Sequence, residues 1–161
     1  SADAAATGVS VARPMFFEFP DDPAITYLDQ QFMLGPDLLV APVMSASGEV
    51  SFYLPAGTWT NWWTGETVEG GAWRTETHGF DTLPLYVREG AAIAVGNRTD
   101  RPDYDYLDGL TIRLYGVASQ LDMTMPIVQP DGSVHSLRIS GTPDAPVVTG
   151  ADATVQVVSR A

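Results

Sequence analysis

The sequence predicts a mainly β fold, with antiparallel β-sandwich structure after residue 36 and a shorter segment of mixed α/β character before it. The first observation is hydrophobic alternation with period two, as in residues 50–54 (VSFYL) and 110–115 (LTIRLY), which is typical of half-buried antiparallel strands. The second is the spacing of turn signals, because turns rich in glycine or proline recur about every ten residues after residue 55. Short strands joined by such turns indicate sandwiches.

The segment before residue 36 has a different pattern. Residues 4–6 are alanines, which favour a helix, and Gly8 fits the C-cap of that helix. Residues 15–17 (MFF) then form a continuous apolar run. Such runs predict a strand buried on both faces, the usual state of a parallel strand in an α/β protein. We therefore expect a buried strand over residues 15–19.

One amphipathic helix is expected over residues 22–35. Asp22 can cap this helix, Pro23 suits its first position, and Gly35 followed by proline ends it. Its apolar residues recur at helical spacing, at Ile25, Leu28 and Phe32. The first 35 residues are thus predicted to hold one strand followed by one helix.

The chain is expected to divide into three parts. Residues 97–102 (NRTDRP) are polar and interrupted by proline, which favours a linker close to residue 100. The parts are the α/β segment at residues 1–35, a first sandwich at 36–100 and a second β unit at 101–161. The second unit offers about five strands, which are too few for an independent sandwich. The second unit is therefore expected to pack against the first unit or to be incomplete.

Composition excludes several classes of protein. The 161 residues can bury one ordinary core or two small ones, so a (β/α)8 barrel of about 250 residues does not fit. There are 20 acidic residues against 8 basic ones, and the net charge is −12. Without a basic cluster, neither nucleic acid nor an anionic membrane is an expected partner. The absence of cysteine excludes disulfides, thiolate nucleophiles and cysteine-based zinc sites.

The predicted location rests on the first residues and on hydropathy. Residues 1–6 (SADAAA) lack the basic and apolar regions of a signal peptide. No apolar run approaches the roughly 20 residues that span a bilayer. We expect a cytoplasmic protein, with secretion of a longer parent chain as the alternative.

Three acidic side chains, Glu18, Asp21 and Asp22, are candidates for acid–base chemistry. A catalytic pair of carboxyl groups faces one substrate from roughly 5 Å apart or more, and one of them has a raised pKa. Two aspartates followed by proline also form a good helix cap, which is the favoured interpretation. Glu18 lies at an alternate position within the predicted apolar strand, but it has no second catalytic group to act with. No catalytic residue is therefore assigned.

The acidic run from Asp100 to Asp108 raises the question of a calcium loop. An EF-hand loop starting at Asp103 needs an acid or amide at its fifth position, glycine at its sixth and glutamate at its twelfth. These positions hold Leu107, Asp108 and Leu114. A solvated linker is therefore the favoured interpretation.

The two histidines, His78 and His135, lie far apart and are expected in different units. A zinc site would need further ligands that converge from elsewhere, which makes this reading the weaker one. Neither a metal ion nor a cofactor is expected.

The four tryptophans allow two interpretations. Aromatic rings on a sheet surface can stack on sugars, and Trp62 and Trp63 must point to opposite faces of a strand, so one of them is expected to be exposed. In the favoured alternative Trp59 and Trp63 share a face and fill the core. Trp73 is the fourth ring.

Longer motifs carry a resemblance to a known family. They occupy residues 13–23 (RPMFFEFPDDP), 27–43 (YLDQQFMLGPDLLVAPV), 52–59 (FYLPAGTW) and 77–88 (THGFDTLPLYVR). Together they resemble the end of the catalytic barrel and the following β-domains of family-31 glycoside hydrolases, the α-glucosidases and α-xylosidases. The resemblance covers residues 9 to 115 or so. The bacterial α-xylosidase branch is the most similar, through residues 77–80, 96–97 and 101–104 (RPDY).

The resemblance implies a longer parent protein that is a retaining, exo-acting α-glycosidase, with two aspartates on a (β/α)8 barrel. Both aspartates would precede residue 1, so this chain alone is expected to be inactive. Residues 1–35 would hold the last strand and helix of the barrel. Residues 36–100 would be the proximal C-terminal β-domain, and residues 101–161 the distal one, complete or truncated.

The role implied for this chain is to brace the catalytic barrel, which is its expected partner and which would bind the small oligosaccharide substrate. Severed from the barrel, the strand at residues 15–19 would expose apolar side chains and unpaired edges, which favours homo-oligomers. A carbohydrate-binding module and an oligomerisation domain remain as alternatives.

Overall fold

The computed structural model describes residue 4 and residues 7–158. The elements whose residues are all described are one short α-helix, one 3₁₀ helix and fourteen strands. The helices are α1 (Met15–Glu18) and the 3₁₀ helix (Pro23–Ile25). The strands are β1 (Ala12–Pro14), β2 (Phe32–Leu34), β3 (Leu38–Val40), β4 (Glu49–Leu54), β5 (Thr58–Asn61), β6 (Thr67–Glu69), β7 (Ala72–Thr77), β8 (Leu85–Arg88), β9 (Ala92–Val95), β10 (Thr111–Tyr115), β11 (Leu121–Val128), β12 (Val134–Thr142), β13 (Ala145–Thr149) and β14 (Thr154–Val158).

The strands form four hydrogen-bonded sheets. The largest has the order β1-β2-β3-β8-β5-β6, and β4 pairs with β7 in a separate sheet. The other two have the orders β14-β10-β9 and β11-β12-β13. Within the described residues β10 and β14 form the one parallel pair, and every other pairing is antiparallel. The prediction of a mainly antiparallel β fold is confirmed.

The first core lies between the six-stranded sheet and the β4–β7 pair. Phe52 and Leu54 of β4 meet residues from three strands of the large sheet. These are Met33, Leu39 and Trp59, and all five side chains are at most 1% exposed. Full burial of one such side chain contributes about 1.5–3 kcal/mol, so this contact holds the two sheets together as a sandwich.

The second core lies between the sheets β14-β10-β9 and β11-β12-β13. Its fully buried members include Ile112 and Leu114 of β10, which alternate as the sequence predicted. They pack against Leu121 of β11 and against Leu137 and Ile139 of β12. The five strands expected after residue 110 are β10 to β14.

A third, smaller cluster joins the two sandwiches. It consists of Val87 on β8, Ala91 just before β9 and Tyr115 on β10, with Trp62 stacked on Tyr115 at a ring-centroid distance of 6.2 Å. Hydrogen-bonded pairs also cross both predicted boundaries, because β2 pairs with β3 across residue 35 and β9 pairs with β10 across residue 100. The division at residues 1–35, 36–100 and 101–161 stays a prediction.

The strand predicted at residues 15–19 is wrong. Met15–Glu18 is the helix α1, and the amide of Phe19 donates to the carbonyl of Met15 at 3.0 Å. Met15 is buried, whereas Phe16 and Phe17 are 60% and 54% exposed. A short apolar run fits a helix turn as well as a buried strand, and here only one of its three side chains faces the core.

The helix predicted over residues 22–35 is also wrong. Asp22 does cap a helix, since its Oδ1 accepts a hydrogen bond from the Ala24 amide at 3.0 Å, but that helix is the three-residue 3₁₀ helix. Gln31 then bonds both the amide and the carbonyl of Tyr53, each at 2.8 Å. These bonds anchor the chain to β4. Residues 32–34 then form β2, which pairs with β1 on one side and with β3 on the other. This pairing outweighs the helical spacing of the apolar residues.

The expected helix end at residues 4–6 lies partly outside the described residues, which omit residues 5 and 6. Gly8 behaves as predicted for a C-cap, with φ of 76° and with its amide donating to the carbonyl of Ala4 at 2.9 Å. None of the helices in the described part of the chain has the length and hydropathy needed to cross a membrane.

Gly70 allows a close approach that supports the first core. A Cβ at this position would lie 1.9 Å from the Pro55 carbonyl oxygen and 3.0 Å from Nε1 of Trp59. We expect Gly70→Ala to lower the free energy of unfolding by about 1–3 kcal/mol, because backbone atoms must shift. Urea unfolding of the purified chain measures this value.

Gly79→Ala is the matched control for Gly70→Ala. A Cβ on Gly79 would meet no atom within 4 Å. The control is expected to change stability by less than about 0.5 kcal/mol. Equal losses for the two variants would show that the contact with Pro55 is not what matters.

Candidate functional site

Two of the three acidic candidates near the start of the chain, Glu18 and Asp22, have structural partners. Besides capping the 3₁₀ helix, Asp22 accepts a hydrogen bond from the Tyr53 hydroxyl at 3.0 Å. Glu18 accepts a hydrogen bond from Nη1 of Arg13 at 2.5 Å. Together with Asp21 they border a groove of about 550 Å³. The cap interpretation of Asp22 is confirmed, and the absence of a catalytic residue stays a prediction.

Arg13 and Glu18 belong to a cluster of alternating charges on the six-stranded sheet. Both side chains of this ion pair are at most 14% exposed, and Arg13 Nε also donates to the Ser10 carbonyl at 3.0 Å. Asp37, at the β2–β3 turn, lies in the field of this pair and of Arg88 on β8. Burial raises the pKa of the Asp37 carboxyl, and the Arg88 guanidinium opposes that effect. Sequence reasoning missed this cluster, whose members are far apart in the chain.

A second polar network fastens the loop that follows β7. His78 bonds Thr82 through Nδ1 at 2.9 Å and Glu76 through Nε2 at 2.8 Å. Glu76 also accepts a hydrogen bond from the buried Tyr86 hydroxyl. A carboxylate only accepts, so Nε2 of His78 donates to Glu76, and both ring nitrogens are held by side-chain partners.

Tyr86 makes this network sensitive to alkaline pH. Burial, followed by the hydrogen bond to Glu76, raises the pKa of Tyr86 to about 12 from its ordinary value of 10.0. Because the pKa is raised in the folded state, the stabilisation is complete below pH 10 and is lost as the pH rises through 12. We expect Tyr86→Phe to cost about 2 kcal/mol at pH 7 and progressively less above pH 10.

Thermal unfolding of wild type and Tyr86→Phe between pH 8 and 12 tests this expectation. The difference between the two proteins isolates Tyr86 from the other tyrosines, including Tyr53 and Tyr115, whose pKa values burial also raises. A difference that stays constant from pH 8 to pH 12 would contradict it.

Two acids of the run before β10, Asp100 and Asp105, have hydrogen-bond partners. Arg98 pairs with Asp100 at 2.9 Å and lowers the pKa of that carboxyl. Asp105 accepts hydrogen bonds from the Leu107 amide at 2.9 Å and from Gln129 at 2.6 Å. These contacts suit a linker packed on the second sandwich.

His135 borders a groove of about 540 Å³ with Asp103 and Asp131. The Ser133 hydrogen bonds hold the pKa of Asp131 below its ordinary value. His135 is on β12 and His78 follows β7, so the two histidines lie in different sandwiches. In the described ranges, residue 4 and residues 7–158, no three His, Asp or Glu side chains are grouped to hold a metal ion.

The four tryptophans divide between core and surface. Trp59 is 1% exposed and donates from Nε1 to the Pro55 carbonyl at 2.8 Å, as the core interpretation predicted. Trp63 does not share that core, and its 46% exposure corrects the core interpretation while agreeing with the expectation that one of Trp62 and Trp63 is exposed. β5 ends at Asn61, whose Oδ1 accepts the amides of Trp63 and the next residue in a turn. Period-two alternation therefore stops before Trp63.

One surface of the first sandwich is apolar without being covered. β1 is an edge strand of the large sheet, and the residues flanking it carry four exposed apolar side chains. They are Val11 (38%), Phe16 (60%), Phe17 (54%) and Leu34 (41%), and we call them the β1 edge face. Several exposed apolar side chains around one edge strand mark a candidate contact surface.

The backbone holds the β1 edge face together. Leu34 pairs with Ala12 across β1 and β2, and the Gly35 amide donates to the Val11 carbonyl at 2.7 Å. Phe17 lies against Ser10, next to Val11. Sequence analysis expected exposed apolar side chains at residues 15–19 in a chain without its barrel, but it placed Phe16 and Phe17 on a strand rather than on the helix α1.

Comparisons with known proteins point to one family. The family model described as "Glycosyl hydrolase family 31 C-terminal domain" matches residues 8–93. The α-xylosidase of Emericella nidulans is 37% identical over 162 aligned residues, which cover 96% of this chain and 20% of that protein. The α-glucosidase 2 of Bacillus thermoamyloliquefaciens is 41% identical over 139 residues, covering 84% and 17%.

A solved structure has a fold similar to that of this chain. The cycloalternan-forming enzyme from Listeria monocytogenes, in complex with a pentasaccharide substrate, has a TM-score of 0.77 and 28% sequence identity to this chain. The comparison covers 97% of this chain and 16% of that one. The chain thus spans a fifth or less of the length of each of these three proteins.

Proposed function

This chain belongs to glycosyl hydrolase family 31, as part of its C-terminal domain, and from that premise we propose that it is the non-catalytic C-terminal portion of an α-glycosidase. In this proposal the longer protein is a retaining, exo-acting enzyme. The chain braces its catalytic barrel and supplies no catalytic carboxylate.

The observation that carries the proposal is the β1 edge face. Elsewhere the large sheet buries its apolar side chains in two internal clusters, yet four side chains around β1 point to solvent. A docked barrel would remove this apolar area from water, at about 25 cal/mol per Å². It would also cover an edge strand, which otherwise invites wrong pairing.

The acidic residues support a non-catalytic role. Asp22 is committed to a cap and to Tyr53, and Glu18 is committed to Arg13. Both carboxylates are therefore engaged in bonds that hold the fold rather than left free for acid–base chemistry.

The substrate of the longer enzyme is proposed to be a small oligosaccharide with a terminal α-linked xylose or glucose. The similar relatives include both an α-xylosidase and an α-glucosidase, so the choice between the two sugars awaits assay. No cofactor enters the proposal. The cytoplasmic location stays a prediction that cell fractionation can check.

The first test measures activity. The 161-residue chain is expected to release no p-nitrophenol from the α-xyloside or the α-glucoside, whereas the longer enzyme hydrolyses one of them. Activity of the short chain would overturn the proposal. Calorimetric titration with isoprimeverose or maltose adds a second outcome, because clear binding by the short chain would favour a carbohydrate-binding module.

The second test addresses bracing. The double variant Phe16→Asp and Phe17→Asp is expected to leave the melting temperature of the isolated chain nearly unchanged, since both side chains are more than half exposed. In the longer enzyme it should lower the temperature of half-inactivation, because charges would be buried at the contact. Val134→Asp, at a 62% exposed position on β12, is the control and should affect neither protein.

A further inference from the structure

A second apolar surface lies on the first sandwich, formed by two loops rather than by a sheet edge. Residues 42–48 follow β3, and residues 78–83 follow β7. They enclose a groove of about 700 Å³, lined by residues 42–43, 45–48, 78–80 and 82–83. We call it the loop groove. Met44 beside it is 76% exposed, and Phe80 in its wall is completely exposed.

The loop groove is free of formal charge. None of its lining residues is an acid or an arginine, although the chain carries 20 acids and 8 arginines. Asp81, the single acid of the second loop, is not part of the lining. An uncharged groove with exposed apolar side chains fits an uncharged apolar protein surface better than an ionic ligand.

The loops are held in place before anything binds. His78 is bonded on both ring nitrogens, and its amide donates to the Gly48 carbonyl at 3.0 Å, which ties one loop to the other. At the far end, Nε1 of Trp63 donates to the Leu83 carbonyl at 2.7 Å. Loops fixed in this way lose little backbone conformational entropy on association, so the backbone that carries the exposed Phe80 side chain is already held in place.

Three occupants can be weighed against these features. A sugar needs free polar partners, but the Thr82 hydroxyl is bonded to His78 and the Ser45 hydroxyl to the Glu49 carbonyl at 2.6 Å. A second copy is disfavoured, because two chains that each carry a net charge of −12 repel each other. The remaining occupant is another part of the same polypeptide, and the similar relatives hold at least four-fifths of their length outside the matched region.

We propose that the loop groove is a second docking point for the catalytic part of the longer enzyme, with Phe80 and Met44 as its anchors. The inference rests on the proposed function and adds a contact separate from the β1 edge face. Two contacts on different elements would fix the orientation of the C-terminal sandwich on the barrel, which a single contact does not.

Cysteine labelling tests the inference, because the chain has no cysteine of its own. Single cysteines are placed at Phe80→Cys, Met44→Cys and Phe16→Cys, with Val134→Cys as an exposed control. Maleimide modification is followed by peptide mass spectrometry in the 161-residue chain and in the longer enzyme. We expect modification at positions 80 and 44 to be at least about tenfold slower in the longer enzyme, and the control to be unchanged.

The outcomes separate the two proposals. Protection at position 16 without protection at 80 and 44 would overturn this inference and leave the bracing proposal standing, whereas no protection at any of the three would overturn both. Protection of the short chain that grows with its concentration would identify a second copy as the occupant. Protection of the short chain by maltose or isoprimeverose would identify a sugar, and either result overturns the inference.

A measurement on the unaltered protein guards against misfolded variants. Hydroxyl radicals oxidise methionine and phenylalanine according to their exposure, so Met44 and Phe80 report directly in wild type. Both should be oxidised at least about tenfold more slowly in the longer enzyme than in the short chain. Equal rates in the two proteins would contradict the inference without any substitution.

Discussion

Replacing Trp59 with alanine is expected to lower the free energy of unfolding by about 3–5 kcal/mol. The indole is 1% exposed, packs against Phe19 at a ring-centroid distance of 6.2 Å and occupies the centre of the first core. Alanine would leave a cavity there, and the Pro55 carbonyl would lose the bond from Nε1. Urea unfolding followed by tryptophan fluorescence and by circular dichroism measures the loss.

Trp73→Ala is the matched control for Trp59→Ala. Trp73 is 58% exposed, and its ring contact with Tyr53, at a centroid distance of 5.8 Å, is the only ring contact it makes among the described residues. The control is expected to cost about 1 kcal/mol. If both substitutions lower the free energy of unfolding equally, the buried position of Trp59 would not explain the loss of stability.

Replacing Arg13 with methionine is expected to cost about 3–5 kcal/mol, because Glu18 would keep a charge in a nearly buried place without its partner. Arg13 is 9% exposed, and its pair with Glu18 connects β1 to α1. The same substitution removes one of the cations near Asp37. Denaturant unfolding at pH 7 gives the value.

Two comparisons make the Arg13 prediction specific. The double variant Arg13→Met with Glu18→Leu should regain part of the lost stability, since no unpaired charge is left behind. Asp100→Asn breaks the exposed pair with Arg98, whose side chains are 63% and 41% exposed, and should stay close to wild type. Additive losses from the two substitutions would contradict the proposed coupling.

The strands of both sandwiches could be predicted from the sequence because their pattern is local. Residues 50–54 and 110–115 alternate with period two, and the structure has β4 and β10 there. A side chain's face on a strand follows from its position in the repeat. Burial does not follow fully, because Tyr53 and Tyr115 are also buried, on the opposite face of their strands. The family resemblance was also visible, because its motifs are continuous stretches that the family model matches over residues 8–93.

Residues 15–35 could not be predicted in the same way. The spacing of Ile25, Leu28 and Phe32 fits a helix, yet the buried bonds of Gln31 to β4 and the place of β2 between two strands decide their structure. These partners lie up to 22 residues away in sequence. Local propensity is weak against that many long-range hydrogen bonds and buried contacts.

The sequence by itself determined the antiparallel β class, the cap at Asp22, the core position of Trp59 and the family, since each depends on neighbouring residues or on a continuous motif. Only the tertiary structure decided that Phe16, Phe17 and Trp63 face outward, that Arg13 meets Glu18 within reach of Asp37, and that two distant loops form the loop groove. Exposure and charge pairing depend on which elements pack together, and that choice is made by the free energy of the whole fold rather than by any one segment.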